Sequence, residues 1–173
     1  VYFQDCRVPA ANLIGGVEGK GFVTAMKVLN KQRLHLSALC TGPAMRMRDE
    51  ALAHALKRRQ FGQPIADFQL VQAMIADIQT EIHAARALIL ETARKRDQGE
   101  DIKLEASMCK YFASEMCGRV ADKAVQIFGG AGYVADYSCI ERLYRDARLF
   151  RLYEGTSQIH QLNIAKLTLR AAC

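Results

Sequence analysis

The sequence has no tryptophan, only three prolines and few runs of β-branched residues. What remains is dominated by Ala, Leu, Arg, Lys, Glu and Gln, which favour helix. No apolar stretch approaches the ~20 residues that a helix needs to cross a bilayer. No pair among the six cysteines (6, 40, 109, 117, 139 and 173) has Cys-x-x-Cys or metal-ligand spacing, and no metal site is expected. Half of the 173 residues are hydrophobic, so a core can form without a disulfide framework, and reduced, buried thiols of an intracellular protein are expected. That apolar share, beside 24% charged residues, also excludes the composition of a disordered segment.

The formal net charge is +6 and the pI about 9.1. A basic balance raises the question of nucleic acid. The basic clusters Lys57-Arg58-Arg59 and Arg94-Lys95-Arg96 are short and lack the interleaved aromatics of a single-strand binding groove, so no nucleic-acid partner is expected. A di-iron carboxylate bundle needs paired Glu-x-x-His motifs. Glu50 and His54, and Glu81 and His83, have the wrong spacing for it.

The chain opens on Val1 with no signal-peptide pattern after it. Residues 1–9 read as a short extended segment closed by Pro9, and Asn12, Gly15, Gly16 and Gly19 mark a loop. The expected organisation is therefore a linker over residues 1–20, with the chain forming the downstream part of something longer. A long helix is expected from about residue 22 to 58, kinked or locally unwound at Gly42-Pro43. Its apolar positions include Phe22, Met26, Leu29, Leu36, Leu39, Met45, Leu52 and Leu56.

Phe61-Gly62-Gln63-Pro64 ends that helix, and Asp67 is placed to cap the next. In the second helix Val71, Met74, Ile75, Ile78, Ile82, Ala85 and Ile89 recur at spacings of three and four, as far as the basic run near Arg96. A third helix is expected over about 101–128, with Ala113, Cys117, Val120, Ala124 and Ile127 on one face. Ser138 and Glu141 have the spacing of a capping box opening a short helix to about 150. A last helix follows the break at Tyr153-Glu154-Gly155-Thr156. Three long and two shorter helices with short connections predict an all-α, up-and-down bundle over residues 21–173.

A bundle says nothing about function; the breaks between helices say more. Three contain glycine beside polar residues: 58–64, 126–132 and 153–158. Glycine lets a backbone approach a ligand closely. Arg58-Arg59-Gln60-Phe61-Gly62-Gln63-Pro64, followed by Phe68-Gln69, resembles the Arg-x-x-Phe-Gly stretch of acyl-CoA dehydrogenases. Gln126-Ile127-Phe128-Gly129-Gly130-Ala131-Gly132-Tyr133 resembles their Gln-x-x-Gly-Gly-x-Gly-aromatic loop. Arg145-Asp146-Ala147-Arg148 and Tyr153-Glu154-Gly155-Thr156-Ser157-Gln158 resemble their Arg-Asp and Tyr-Glu-Gly-Thr segments. Phe3, Asp5 and Arg7-Val8-Pro9 resemble the family's linker into its C-terminal helical domain. Order and spacing are kept over essentially the whole chain.

The resemblance implies FAD-dependent α,β-dehydrogenation of an acyl-CoA thioester, as in fatty acid β-oxidation. Glu154 would be the base that takes the α-proton while the β-hydrogen leaves as hydride to the flavin. A carboxylate is a weak base in water, and burial beside an apolar ligand strengthens it. The bare alternative is a carboxylate favoured by the dipole at a helix N-terminus. Gly155 would leave room for the thioester. Some branches of the family place the base immediately before the arginine corresponding to Arg33; here that residue is Gln32, which cannot serve. Aspartate at 154 would have suggested nitroalkane oxidation.

By the same resemblance Arg58 would reach the FAD pyrophosphate, where a guanidinium suits a diphosphate in charge and geometry; otherwise it is a solvated member of a basic run. Phe61 would pack on the cofactor, or simply at the helix end. Gln126, Gly129 and Gly130 would contact the adenine half of a neighbour's FAD, or form a plain interhelix loop. The loop is not a dinucleotide-binding fingerprint of the βαβ type, because no strand precedes it. Thr156 and Gln158 would meet the cofactor at the start of the last helix.

Arg33 would lie near the catalytic glutamate; it reads equally as a helix-surface arginine. The family's acid three residues before it is Asn30 here, a departure at the substrate contact. Phe22, Met26 and Leu29 would line the acyl pocket or belong to the core. The implied assembly is a homotetramer, a dimer of dimers sharing FAD across interfaces, with electron-transferring flavoprotein as acceptor. The implied location is the cytoplasm in a bacterium or the mitochondrial matrix in a eukaryote. Without the domain that supplies one wall of the flavin site, this stretch is expected to be inactive alone. Two other readings remain: an acyl-CoA oxidase, with the same base and a different acceptor, and a helical assembly module that has lost its activity.

Overall fold

The computed structural model describes residues 1–172, apart from the side chain of Asn30; Cys173 lies outside the described residues. Residues 1–20 are exposed and contain one 3-10 turn, Ala10–Asn12. Five α-helices follow: α1 (Gly21–Lys57), α2 (Gln69–Asp97), α3 (Lys103–Phe128), α4 (Ile140–Leu149) and α5 (Ser157–Ala171). The expected all-α bundle of three long and two shorter helices is what forms. Among the described residues no helix is long and apolar enough to cross a membrane.

Side-chain pairs fix the helix directions. Arg48 of α1 meets Gln79 of α2, while His35 meets Arg96, so α1 and α2 are antiparallel. Lys95 pairs with Glu105, and Glu81 with Lys123, so α2 and α3 are antiparallel too. Helix α3 lies at the centre and packs against the other four. Both α4 and α5 run back along it. Ser138, just before α4, hydrogen-bonds the Ala131 carbonyl beyond the end of α3; Arg151, just after α4, reaches Glu115. Ser157 then meets Glu115, and Gln161 meets Tyr111. Together α4 and α5 form the fourth member of the bundle, broken in the middle at Tyr153-Glu154-Gly155-Thr156.

The core is built largely from small and flexible side chains. On α3 the buried set includes Ala106, Cys109, Ala113, Met116, Cys117, Val120, Ala121, Ala124 and Ile127, and it contains the whole face expected from the sequence. Ile78, Ile82, Ala85 and Ile89 of α2 are buried as expected. Helix α1 differs. Its buried stripe is Leu34, Leu36, Ser37, Cys40, Ala44, Met47, Ala51 and Ala55, whereas Phe22, Leu39 and Leu56 are exposed. Small residues win that face because α1 and α3 approach closely along it, and a large side chain there would overpack.

Several local expectations are corrected. Helix α1 continues through Pro43 without unwinding. The acceptor that Pro43 deprives of a partner is the carbonyl of Leu39, a residue on the exposed side of the helix. The stretch after α1 is a hairpin, Arg59–Gln60 paired with Gln63–Pro64. Its turn residues Phe61 and Gly62 both have positive φ (52° and 84°), as tight two-residue hairpins require. Asp67 lies in a 3-10 turn, and Phe68 occupies the N-cap of α2 without a side-chain cap. Ser138 accepts from the Ile140 amide, but Glu141 pairs with Arg145 instead of closing a capping box.

Candidate active site

The break between α4 and α5 is held in an uncommon backbone conformation. Glu154 has φ 55° and Gly155 φ 91°. A glutamate in the left-handed region costs roughly 1–2 kcal/mol and persists only where its surroundings fix it. Here they do so from both flanks. Thr156 is the N-cap of α5, its hydroxyl accepting from the Ile159 amide at 3.3 Å. Next to it Ser157 donates to Glu115 at 2.5 Å, and from the other flank Arg151 donates to the same carboxylate at 3.0 Å.

The two carbonyls freed by the break turn to the bundle interior. Lys110 donates from Nζ to the Gly155 oxygen at 2.6 Å, and His160 Nε2 lies 3.1 Å from the Glu154 oxygen. A carbonyl only accepts, so Nε2 carries the proton. The Glu154 carboxylate is partly buried, and its Oε2 is fully buried with no hydrogen-bond donor among the described residues. Arg33 reaches this centre from α1: burial lowers its pKa, and the Glu154 charge opposes that shift. Of the two readings of Arg33, the one near the glutamate is the one this placement supports.

His160 is fully buried, and burial pushes its pKa down to about 4, with the bond to Glu154 opposing and the charges of Arg33 and Lys110 reinforcing. The ring is neutral in the fold, while an unfolded chain protonates it near pH 6.5. Its contribution to stability is therefore complete above pH 6.5 and lost as pH falls towards 4. A His160→Gln variant of the full-length protein is expected to lose less stability than wild type over that window, checked by denaturant midpoints at pH 7 and pH 4.5.

The predicted site residues fall into two groups. Glu154, Gly155, Thr156, Gln158 and Arg33 gather at the break. Arg58, Phe61, Gln126, Gly129 and Gly130 gather at one end of the bundle, where the His54 ring of α1 stacks on Phe128 of α3 at 4.1 Å. About 24 Å of unbroken helix at 1.5 Å per residue separates Lys110 from Gln126 on α3, so the groups do not touch. At the end group Arg58 makes no side-chain hydrogen bond or ion pair among the described residues. Phe61 is 93% exposed at the hairpin tip, an aromatic residue at positive φ whose ring makes a T-shaped contact with Phe68, the N-cap of α2, at 6.1 Å. Cβ atoms added at Gly129 or Gly130 would meet nothing, so their backbone is open to a ligand. Gly132 is different: a Cβ there would sit 2.7 Å from that of Phe128, so this glycine serves packing. A free guanidinium, an exposed amide side chain at Gln126 and open backbone fit the diphosphate and adenosine parts of a dinucleotide.

Sequence reasoning missed Lys110, His160 and Glu115. Lys110 left a trace, as a lysine on the apolar face of α3 between Ala106 and Ala113. No metal-holding group of three or more His, Cys, Asp or Glu occurs among the described residues.

Comparison with known proteins gives a consistent set. The family model "Acyl-CoA dehydrogenase, C-terminal domain" matches residues 19–169. The caffeyl-CoA reductase-Etf complex subunit CarC of Acetobacterium woodii is 44% identical over 98% of this chain, which spans 44% of that protein. Cyclohexane-1-carbonyl-CoA dehydrogenase of Geobacter metallireducens is 43% identical over 99% of this chain, which spans 45% of it. The structure of butyryl-CoA dehydrogenase from Megasphaera elsdenii superposes with a TM-score of 0.89 at 38% identity, covering 97% of this chain and 43% of that one. The chain thus spans less than half the length of these relatives.

Proposed function

The chain belongs to the acyl-CoA dehydrogenase family, and from that premise we propose that it contributes the proton-transfer base, Glu154, to a flavoprotein acting on the α,β-bond of an acyl-CoA thioester. One observation carries the reading: a carboxylate held at positive φ, with a buried oxygen that meets no hydrogen-bond donor among the described residues, in a break anchored from both flanks. Such a group is oriented before substrate arrives, which is where enzymes gain most from a fixed geometry. FAD, when bound, supplies the acceptor for the β-hydrogen. Arg58, Phe61, Gln126, Gly129 and Gly130 would hold its diphosphate and adenosine portion, with Thr156 and Gln158 at the other group.

Glu154 removes the α-proton in the oxidising direction and returns it in the reducing one. Gly155, lacking a side chain, leaves the thioester room beside it. Arg33 faces the carboxylate with opposite charge and steadies it. The same residues therefore serve a dehydrogenase or a reductase, and the electron partner sets the direction; electron-transferring flavoprotein is the proposed acceptor. The 24 Å between the groups is too far for both to touch the same part of one dinucleotide. We take the end group to face the FAD of a neighbouring subunit in a homotetramer. The exposed Leu56, Phe61, Leu70 and Tyr133, all at that end of the bundle, support such a contact.

The test is the visible spectrum of the full-length protein before and after anaerobic addition of saturated acyl-CoA thioesters of graded chain length. A flavin spectrum that bleaches with some of them is expected. A full-length protein without flavin would instead indicate a helical assembly module.

A further inference from the structure

We propose that Lys110 is the positioning residue of this site: its buried ammonium clamps the Gly155 carbonyl and thereby aims the Glu154 carboxylate. The proposal rests on the role given to Glu154 above. In an unbroken helix the carbonyls of 154 and 155 would be taken by amides four residues on. The break removes such a partner: the Ile159 amide, which the Gly155 carbonyl would take, goes to the Thr156 hydroxyl, and regular bonding resumes only with the His160 amide on the Thr156 carbonyl. Two orphaned carbonyls inside a bundle need donors. His160 supplies one and Lys110 the other.

The two donors are not equivalent. His160 belongs to α5 and moves with the break. Lys110 belongs to α3, the central helix, and reaches 45 residues along the chain to a peptide oxygen at 2.6 Å. It is therefore a direct tie between the rigid centre of the bundle and the Gly155-Thr156 peptide, on the carboxyl side of Gly155 next to Glu154. The second such tie, Glu115 with Ser157 and Arg151, anchors the flanks of the break and not its apex. Lys110 is 0% exposed, and burying an ammonium is costly unless it is well paired. A core that needed only packing at this position would hold an apolar side chain. Burial lowers the Lys110 pKa; the carboxylates of Glu115 and Glu154 oppose that shift, and Arg33 adds to it. A charged donor gives a stronger hydrogen bond than a neutral one, which is what holding a glutamate at φ 55° demands.

The experiment compares Lys110→Met with wild type in the full-length flavoprotein, using an acyl-CoA that bleaches the wild-type flavin. Methionine keeps the volume and removes charge and donor. Loss of alignment at the reacting centre is expected to slow bleaching at saturating thioester about 100-fold, with flavin content unchanged and the thioester dissociation constant within about 3-fold. Amide hydrogen exchange over residues 154–157 should accelerate while that of α3 does not. Lys110→Gln, which keeps a shorter donor, should fall between the two. A purely structural lysine would change the unfolding midpoint and leave bleaching per flavin untouched; that result overturns the proposal. Failure of both variants to bind flavin overturns it as well. Glu154→Gln serves as the reference. If it bleaches at the wild-type rate, the base assignment fails and this proposal with it; if it is slow while Lys110→Met is normal, only the role of Lys110 is refuted.

Discussion

Glu154→Gln in the full-length flavoprotein is expected to lower turnover by about 1,000-fold, within the range that a positioned general base contributes. The substitution keeps the shape of the side chain and removes only its ability to accept a proton. Flavin content and acyl-CoA affinity should persist, because neither the end group around Arg58 nor the backbone clamps on Lys110 and His160 involve the carboxylate itself. The loss should appear in kcat and in kcat/KM together, the mark of an interaction made in the transition state. In either direction of reaction the same group moves the α-proton, so oxidation and reduction should fall alike. Activity within tenfold of wild type would mean that another residue carries the proton.

Gly155→Ala is expected to reduce activity about 100-fold by displacing the neighbouring carboxylate and to destabilise the fold by about 1–3 kcal/mol. Two independent observations give that expectation. Gly155 has φ 91°, a conformation that L side chains rarely adopt. A Cβ built there would also stand 3.1 Å from His160 Nε2, tighter than ordinary contact. His160 is fully buried and cannot retreat without breaking its bond to the Glu154 carbonyl. The alanine methyl would further occupy the space proposed for the thioester. Thermal unfolding and steady-state kinetics separate the two effects. Unchanged kinetics with lowered stability would show that this glycine serves the backbone alone.

Helix-rich character followed from composition, and the faces of α2 and α3 followed from the spacing of Ile78, Ile82, Ala85 and Ile89 and of Ala113, Cys117, Val120 and Ala124. These readings work because an amphipathic face is a local property with a fixed period. The face of α1 was not assigned from the sequence, for a physical reason. Large apolar residues such as Leu39 and Leu56 dominate the pattern by eye, but close approach to α3 selects Cys40, Ala44, Ala51 and Ala55. The turn at Phe61-Gly62 was legible as punctuation; that it closes a hairpin and leaves Phe61 exposed was not.

By itself the sequence determined the helical class, the order of the breaks and the motifs that mark the family, because each is written in neighbouring residues. Tertiary structure alone decided that α4 and α5 are two halves of one bundle member and that the break between them opens onto the middle of α3. It also decided that Arg58 and Gln126 stand far from Glu154. The link between Lys110 and Gly155 belongs to the same class. It exists because an interrupted helix leaves carbonyls that need a donor, and only the packing of α3 beneath that interruption determines which side chain, 45 residues away, provides it.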